Sequence, residues 1–106
     1  FDRAWNIVFD AGWGKPGSEM HWYYDGKGQP VTHNGKRVRV NVCRRGGSAL
    51  LAFGNFGEAE NISFDVSGLG FGKGAEVRDA ETGRPVDAKS LNVPRHGYRL
   101  VRVEKK

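Results

Sequence analysis

The chain has 106 residues, of which 38% are hydrophobic, and 17 Lys and Arg against 12 Asp and Glu give it a net charge of +5. This length allows one domain with a single core and excludes a (β/α)8 barrel, which needs about 250 residues. The 16 glycines are about twice the average usage of about 7%. Because glycine disfavours helices and supplies turns, we expect an all-β fold.

Strand-like runs recur along the chain and are separated by Gly, Asp and Asn. The clearest alternation lies in residues 36–44, where three valines are expected to face inward. Residues 48–53 are apolar on both faces, which indicates a central strand. The dipeptide Asn34-Gly35 is the strongest hairpin-turn signal. In chain order, strands are expected at residues 5–10, 20–24, 29–32, 36–44, 48–53, 60–66, 75–80, 85–88, 91–93 and 98–103, with helix content near zero.

Short strands at this spacing predict a two-sheet antiparallel β-sandwich of about eight strands with little or no helix. We expect a single domain over residues 1–106, with the main sandwich in residues 36–106. Residues 1–35 are rich in aromatic residues and glycine, and are expected to form an outer layer or to cover one mouth of the sandwich. The expected core consists of apolar side chains on the inward phase of the strands: Val38, Val40, Val42, Leu51, Phe53, Ile62, Phe64, Val77, Leu100 and Val101.

The residues that most often bind metals are few and scattered. Cys43 is the only cysteine, which excludes a disulfide within the chain and a cysteine-based zinc site. It is expected to be a structural thiol on the face of its strand opposite the valines. His21, His33 and His96 share no metal-ligand spacing. We therefore predict neither a metal nor another cofactor.

Targeting signals are also lacking in the sequence. No apolar run reaches the length of about 18 residues that indicates a membrane span, so no membrane partner is expected. The chain begins with Phe1 and shows no signal-peptide pattern, which suggests a segment of a longer protein. A lone cysteine is compatible with a secreted or periplasmic parent protein and with an intracellular one, so the localisation stays open.

No catalytic residue is predicted. The carboxylates of a hydrolase would have to come from turns or from outward strand positions, namely Asp10, Glu19, Asp25, Asp65 and Asp79. No serine–histidine or cysteine–histidine signature accompanies them. The glycine-rich runs at residues 12–17, 53–57 and 68–74 lack the context of nucleotide-binding or RNA-binding loops and predict turns.

The densest basic group is Lys36, Arg37, Arg39, Arg44 and Arg45. These side chains follow one strand-like run, and the other cations are spread over the chain. The distribution favours a solvated strand face that resists aggregation, and it argues against a dedicated nucleic-acid site. An anion-binding surface is the alternative interpretation.

Four aromatic residues of the N-terminal third are candidates for contact with a carbohydrate: Trp13, Trp22, Tyr23 and Tyr24. Sugar rings have apolar C–H faces on which exposed indole or phenol rings can stack. Because adjacent residues of a strand point to opposite faces, one of Trp22 and Tyr23 can be a core residue while the other is exposed. The alternative is that these rings fill the core or pack on a neighbouring domain.

The second half of the chain resembles the C-terminal β-sandwich domains of glycoside hydrolases. The similarity begins with a strand and turn at residues 49–57, in which the hydrophobic strand ends in Asn, and an alternating strand at 62–66. It continues with Leu69-Gly70, a strand at 75–79, a turn at 81–83 and a closing run at 93–101. The domains concerned belong to α-galactosidase-like and α-amylase-like enzymes and to large bacterial glycosidase-like proteins. The resemblance implies an eight-stranded sandwich that packs beside a catalytic barrel and has no catalytic residue of its own.

The leading hypothesis is therefore a non-catalytic accessory domain of a carbohydrate-active enzyme, whose partner is the catalytic domain of the same parent chain. The first alternative is a carbohydrate-binding module that uses the exposed Trp and Tyr residues. The second alternative is a small basic nucleic-acid-binding β-domain.

Overall fold

The computed structural model describes residues 6–8, 10–13, 15–23, 29–72 and 74–105. This part of the chain has an all-β fold apart from a short helical stretch at residues 6–8 and 10, and its strands pair antiparallel. A single 3-10 turn, Ser67–Leu69, interrupts the strands. No helical turn in this part has the length and apolar character of a membrane span. The strands are β1 (Glu19–His21), β2 (Thr32–His33), β3 (Val38–Arg45), β4 (Ser48–Asn55), β5 (Glu60–Ile62), β6 (Phe64–Asp65), β7 (Glu76–Asp79), β8 (Leu91–Val93) and β9 (Tyr98–Glu104).

Five strands form the main sheet, in the order β1-β3-β4-β9-β7. The central position of β4 confirms the expectation from its two apolar faces. The register places Phe53 beside Val40 and Leu51 beside Val101, so alternate residues of neighbouring strands share one face. We call this the inner face.

Two short strand pairs, β2-β6 and β5-β8, cover the inner face. The residues packed between the layers are apolar: Val31, Val38, Val40, Val42, Ala49, Leu51, Phe53, Ile62, Phe64, Leu69, Phe71, Leu91, Val93, Val101 and Val103. Eight of the ten predicted core residues belong to this cluster. Val77 is half-buried and packs against it. Leu100 is buried on the opposite side of the sheet, because it alternates with Val101.

The opposite side of the main sheet, which we call the outer face, is covered near Cys43 and Leu50. The Cys43 thiol donates to the backbone oxygen of Ala11 at 3.7 Å. Gly12 has φ +89°, and a Cβ on it would lie 3.0 Å from the Arg45 guanidinium, so glycine is required both by the backbone and by the close approach. Residues of the N-terminal segment thus lie over part of the outer face.

The prediction of a strand at residues 5–10 is wrong for those of its residues that the structure describes. Residues 6–8 and 10 are helical, while Trp5 and Phe9 lie outside the described residues. The backbone N–H of Ala11 donates to the carbonyl oxygen of Ile7 at 3.1 Å, which is the spacing of an α-helical bond. Local hydrogen bonds therefore take the place of a strand partner, and the apparent alternation was a chance pattern.

Two further expectations are corrected around Asn34. Its dipeptide does not form a hairpin turn, because β2 pairs with β6 and not with β3. The run at residues 60–66 is two strands with different partners, broken at Ser63. The Ser63 N–H donates to the Asn34 side-chain oxygen at 2.9 Å, and the Asn34 N–H donates to the Ser63 carbonyl at 3.2 Å. These two bonds hold the break in place.

Candidate functional site

The structure divides the four predicted carbohydrate-contact residues. Trp13 and Trp22 are half-buried and pack edge to face, with ring centroids 5.5 Å apart and an interplanar angle of 77°. Tyr23 is 45% exposed, and its backbone N–H donates to the Asn41 side chain on the outer face at 2.6 Å. Tyr24 lies outside the described residues. Of the group, Tyr23 has the most accessible ring of those described.

Three exposed aromatic side chains lie toward one end of the outer face. Tyr23, Phe56 and Tyr98 are 45%, 61% and 43% exposed and are the large exposed hydrophobic residues of the described chain. The rings of Tyr23 and Phe56 are 6.3 Å apart at 52°. Tyr98 lies beside Gly54 in the register, and Gly54 precedes Phe56 by two residues. We call Tyr23, Phe56 and Tyr98 the aromatic patch.

Asn55 determines how Phe56 is presented. It is buried at the end of β4, with 4% of its surface exposed. Its amide nitrogen donates to the carbonyl oxygens of Glu58 at 2.8 Å and Val93 at 3.1 Å, and its side-chain oxygen accepts the Gly57 N–H at 2.8 Å. Because a buried amide needs such partners, this turn is fixed to β8. The next residue, Phe56, is consequently held on the outside.

A groove of about 470 Å³ lies beside Phe56. We call it the Phe56 groove, and its lining includes Lys36, Arg37, Phe56, Glu58, Glu60 and His96. Glu60 accepts the backbone N–H groups of Lys36 and Arg37, each at 2.9 Å. These two hydrogen bonds lower the pKa of Glu60. The carboxylate therefore stays ionised and fixes the start of β3.

The carboxylates considered as candidate catalysts hold separate parts of the fold. Glu19 pairs with His21 at 2.6 Å within β1. Asp65 accepts the Ser67 N–H at 2.8 Å, and Asp79 accepts backbone N–H groups of its own turn. Asp10 is exposed, and Asp25 lies outside the described residues. In the described ranges, no three His, Cys, Asp or Glu side chains are placed to hold a metal ion.

Sequence reasoning missed Phe56 and Tyr98 as candidate contact residues. Phe56 was read only as part of a glycine-containing turn, and Tyr98 only as the start of a strand. The available signal was the outward phase of both residues: each is adjacent along the chain to an inward position, Asn55 or Arg99. That phase becomes informative only when β4 and β9 are known to be neighbours.

No protein-family model matches the chain, and no curated protein matches it. Its function is therefore inferred from its own residues and geometry.

Proposed function

We propose that the chain is a non-catalytic accessory β-sandwich of a larger, glycoside hydrolase-like enzyme, and that the aromatic patch packs on the catalytic domain. The observation that carries the proposal is the grouping of Tyr23, Phe56 and Tyr98 on one face, each more than two-fifths exposed. Contiguous exposed apolar surface marks interaction sites. Aromatic residues and arginine are also enriched at the centres of protein interfaces.

The shape of this surface suits a partner protein. Gly54 separates Tyr98 from Phe56 on the outer face, and the space where its Cβ would stand has no neighbour within 4 Å. A side chain of the partner would fit this gap between two rings. Arg39 lies beside Gly54 in the register and donates to the carbonyl oxygens of Lys36 and Val38, so it is held at the rim.

The hydrogen bonding of the carboxylates supports an accessory role. Asp79 accepts two backbone N–H groups at 2.9 Å and pairs with Arg99 at 2.8 Å. Both oxygens of Glu60 are engaged by the backbone of residues 36 and 37. Groups committed in this way maintain turns and strand ends, and substrate chemistry is assigned to the neighbouring domain.

A photo-cross-linking experiment tests the docking. In the full-length gene product, p-benzoylphenylalanine replaces Tyr98, and in the matched control it replaces the exposed Lys89, which precedes β8 in the other layer. We expect the probe at position 98 to cross-link to a catalytic domain of the same polypeptide. Equal cross-linking yields at positions 98 and 89, or a gene product without a glycosidase domain, would contradict the proposal.

The exposed ring pair favours a second candidate function, a carbohydrate-binding module. Tyr23 and Phe56 stand next to a groove with polar walls, and such a combination of rings and hydrogen-bonding groups is typical of ligand sites. A glycan array tests it with the chain and its Tyr23→Ala variant. Loss of binding in a variant with an unchanged circular dichroism spectrum would support the module.

A further inference from the structure

We infer that the Phe56 groove binds an anionic saccharide, with a carboxylate of the sugar on Arg37 and a sugar ring on Phe56. The inference rests on the second candidate function and names its ligand class. The groove shares Phe56 with the aromatic patch, whereas Tyr98, the position chosen for cross-linking, is not among the groove residues named above.

The first argument is charge. In the described chain, the ammonium group of Lys36 and the guanidinium group of Arg37 have no hydrogen-bond or ion-pair partner within the protein. Both carboxylates of the groove are engaged, since Glu60 binds two backbone N–H groups and Glu58 pairs with Arg95 at 3.2 Å. Glu60 still carries its negative charge, because backbone N–H groups are neutral, and that charge acts on Lys36. The Arg37 guanidinium is therefore the cation of the groove that is left to attract an anionic ligand.

The second argument is the position of Arg37. A Cβ on Gly57 would lie 2.5 Å from Cδ of Arg37, so the arginine stem packs directly on the glycine backbone. The N–H of Arg37 is fixed by Glu60, and its carbonyl oxygen accepts the Phe56 N–H at 3.0 Å. The backbone and the stem of Arg37 are therefore fixed, and its exposed guanidinium can pair with a carboxylate through two parallel hydrogen bonds.

The third argument is the apolar wall. Phe56 is 61% exposed and lies in the groove beside Arg37. A uronic acid residue has a carboxylate at the edge of a ring with an apolar C–H face, and so matches a cation beside an aromatic ring. His96 adds an imidazole for sugar hydroxyls. Its backbone N–H donates to the Gly57 carbonyl oxygen at 3.1 Å, which keeps the residue next to the same turn. The volume of about 470 Å³ is within the range of small-ligand sites.

Calorimetric titration of the intact chain tests the inference with four probes: an oligogalacturonate, a sulfated galactan oligosaccharide, a neutral cello-oligosaccharide and a single-stranded oligonucleotide. We expect the oligogalacturonate to bind most tightly, and added salt to weaken it. Arg37→Ala should reduce its affinity about tenfold or more, because a charged bidentate contact is lost. The matched control Arg84→Ala removes the same charge from an exposed turn outside the groove and should leave the affinity unchanged. Thermal melting confirms that both variants fold.

The other outcomes are distinguishable. Equal affinity for the neutral and carboxylated probes, lost in Tyr23→Ala but not in Arg37→Ala, would overturn this inference and retain the carbohydrate-binding module. Tighter binding of the sulfated probe would overturn the carboxylate assignment. Tightest binding of the oligonucleotide would favour the nucleic-acid hypothesis instead. Failure of every saccharide to bind would overturn both the inference and the module, without bearing on the cross-linking result.

Discussion

The two faces of the main sheet differ in how they are covered. The inner face packs on two short strand pairs through a continuous apolar cluster. The outer face is covered by N-terminal residues near Cys43, whereas its other end carries the exposed aromatic patch. Side chains of the same sheet are therefore fully buried on the inner face and exposed to solvent at one end of the outer face. The comparison teaches that an apolar side chain on this sheet has a stability role or a binding role according to the face and the end on which it lies.

The largest expected effect is in the core between the inner face and the strand pairs that cover it. Phe64 is 7% exposed, and its ring lies 5.2 Å from that of Phe53. Phe64→Ala should lower the free energy of unfolding by about 3–5 kcal/mol, through lost burial and the cavity that remains. The matched control is Phe56→Ala on the aromatic patch, which should change it by no more than about 0.5 kcal/mol. Chemical denaturation measures both. A Phe64→Ala effect below about 1 kcal/mol would show that the contrast between the faces is wrong.

The next effect tests the covered part of the outer face. Leu50 lies beside Cys43 in the register and is 1% exposed. Leu50→Ala should cost about 2–4 kcal/mol if residues over this region remain packed in solution. Leu50→Met keeps the volume and should cost less than about 1.5 kcal/mol. A cost for Leu50→Ala near zero would mean that the N-terminal residues do not cover this face.

A polar contact at the edge of the inner face comes third. Burial raises the pKa of Asp79, but hydrogen bonds from the Thr82 N–H, Arg99 and the Glu81 N–H together lower it by more. The pKa of Asp79 therefore lies below its usual value. Asp79→Asn should therefore reduce the unfolding free energy at pH 7 by about 1–3 kcal/mol. Because the folded pKa is the lower one, the wild-type advantage is complete above the unfolded pKa of about 3.9 and declines as the pH falls through the folded value. Denaturation curves of both proteins from pH 7 to pH 2.5 measure this decline. A constant difference across that range would contradict it.

The same comparison explains which features could be predicted from the sequence. Val40 and its neighbours were placed correctly because alternation and burial agree along β3. Residues 6–8 were placed wrongly in a strand. A helical turn this short, with Ile7 and Val8 half-buried, has no hydrophobic periodicity that distinguishes it from a strand. Phe56 was missed for a different reason: its exposure follows from the hydrogen bonds of Asn55 to a distant strand. Local pattern therefore identified the inner face, whereas the outer face depends on contacts between segments far apart in the chain.

The smallest expected effect is a pH dependence in β2, one of the strands that cover the inner face. His33 is half-buried, packs against Phe53 with ring centroids 6.1 Å apart, and accepts the Gly35 N–H on Nδ1 at 3.0 Å. Burial lowers the pKa of His33, nearby Arg39 lowers it further, and Glu60 opposes them. Between the pKa of His33 in the folded protein and its pKa of about 6.5 in the unfolded chain, the unfolded chain binds more protons than the folded protein. The unfolding free energy should therefore fall as the pH decreases from about 6.5 toward the pKa of the folded protein. His33→Gln should remove this slope between pH 7.5 and pH 5, whereas His96→Gln, at an exposed turn, should retain it. A slope that survives His33→Gln would assign the pH dependence to another group.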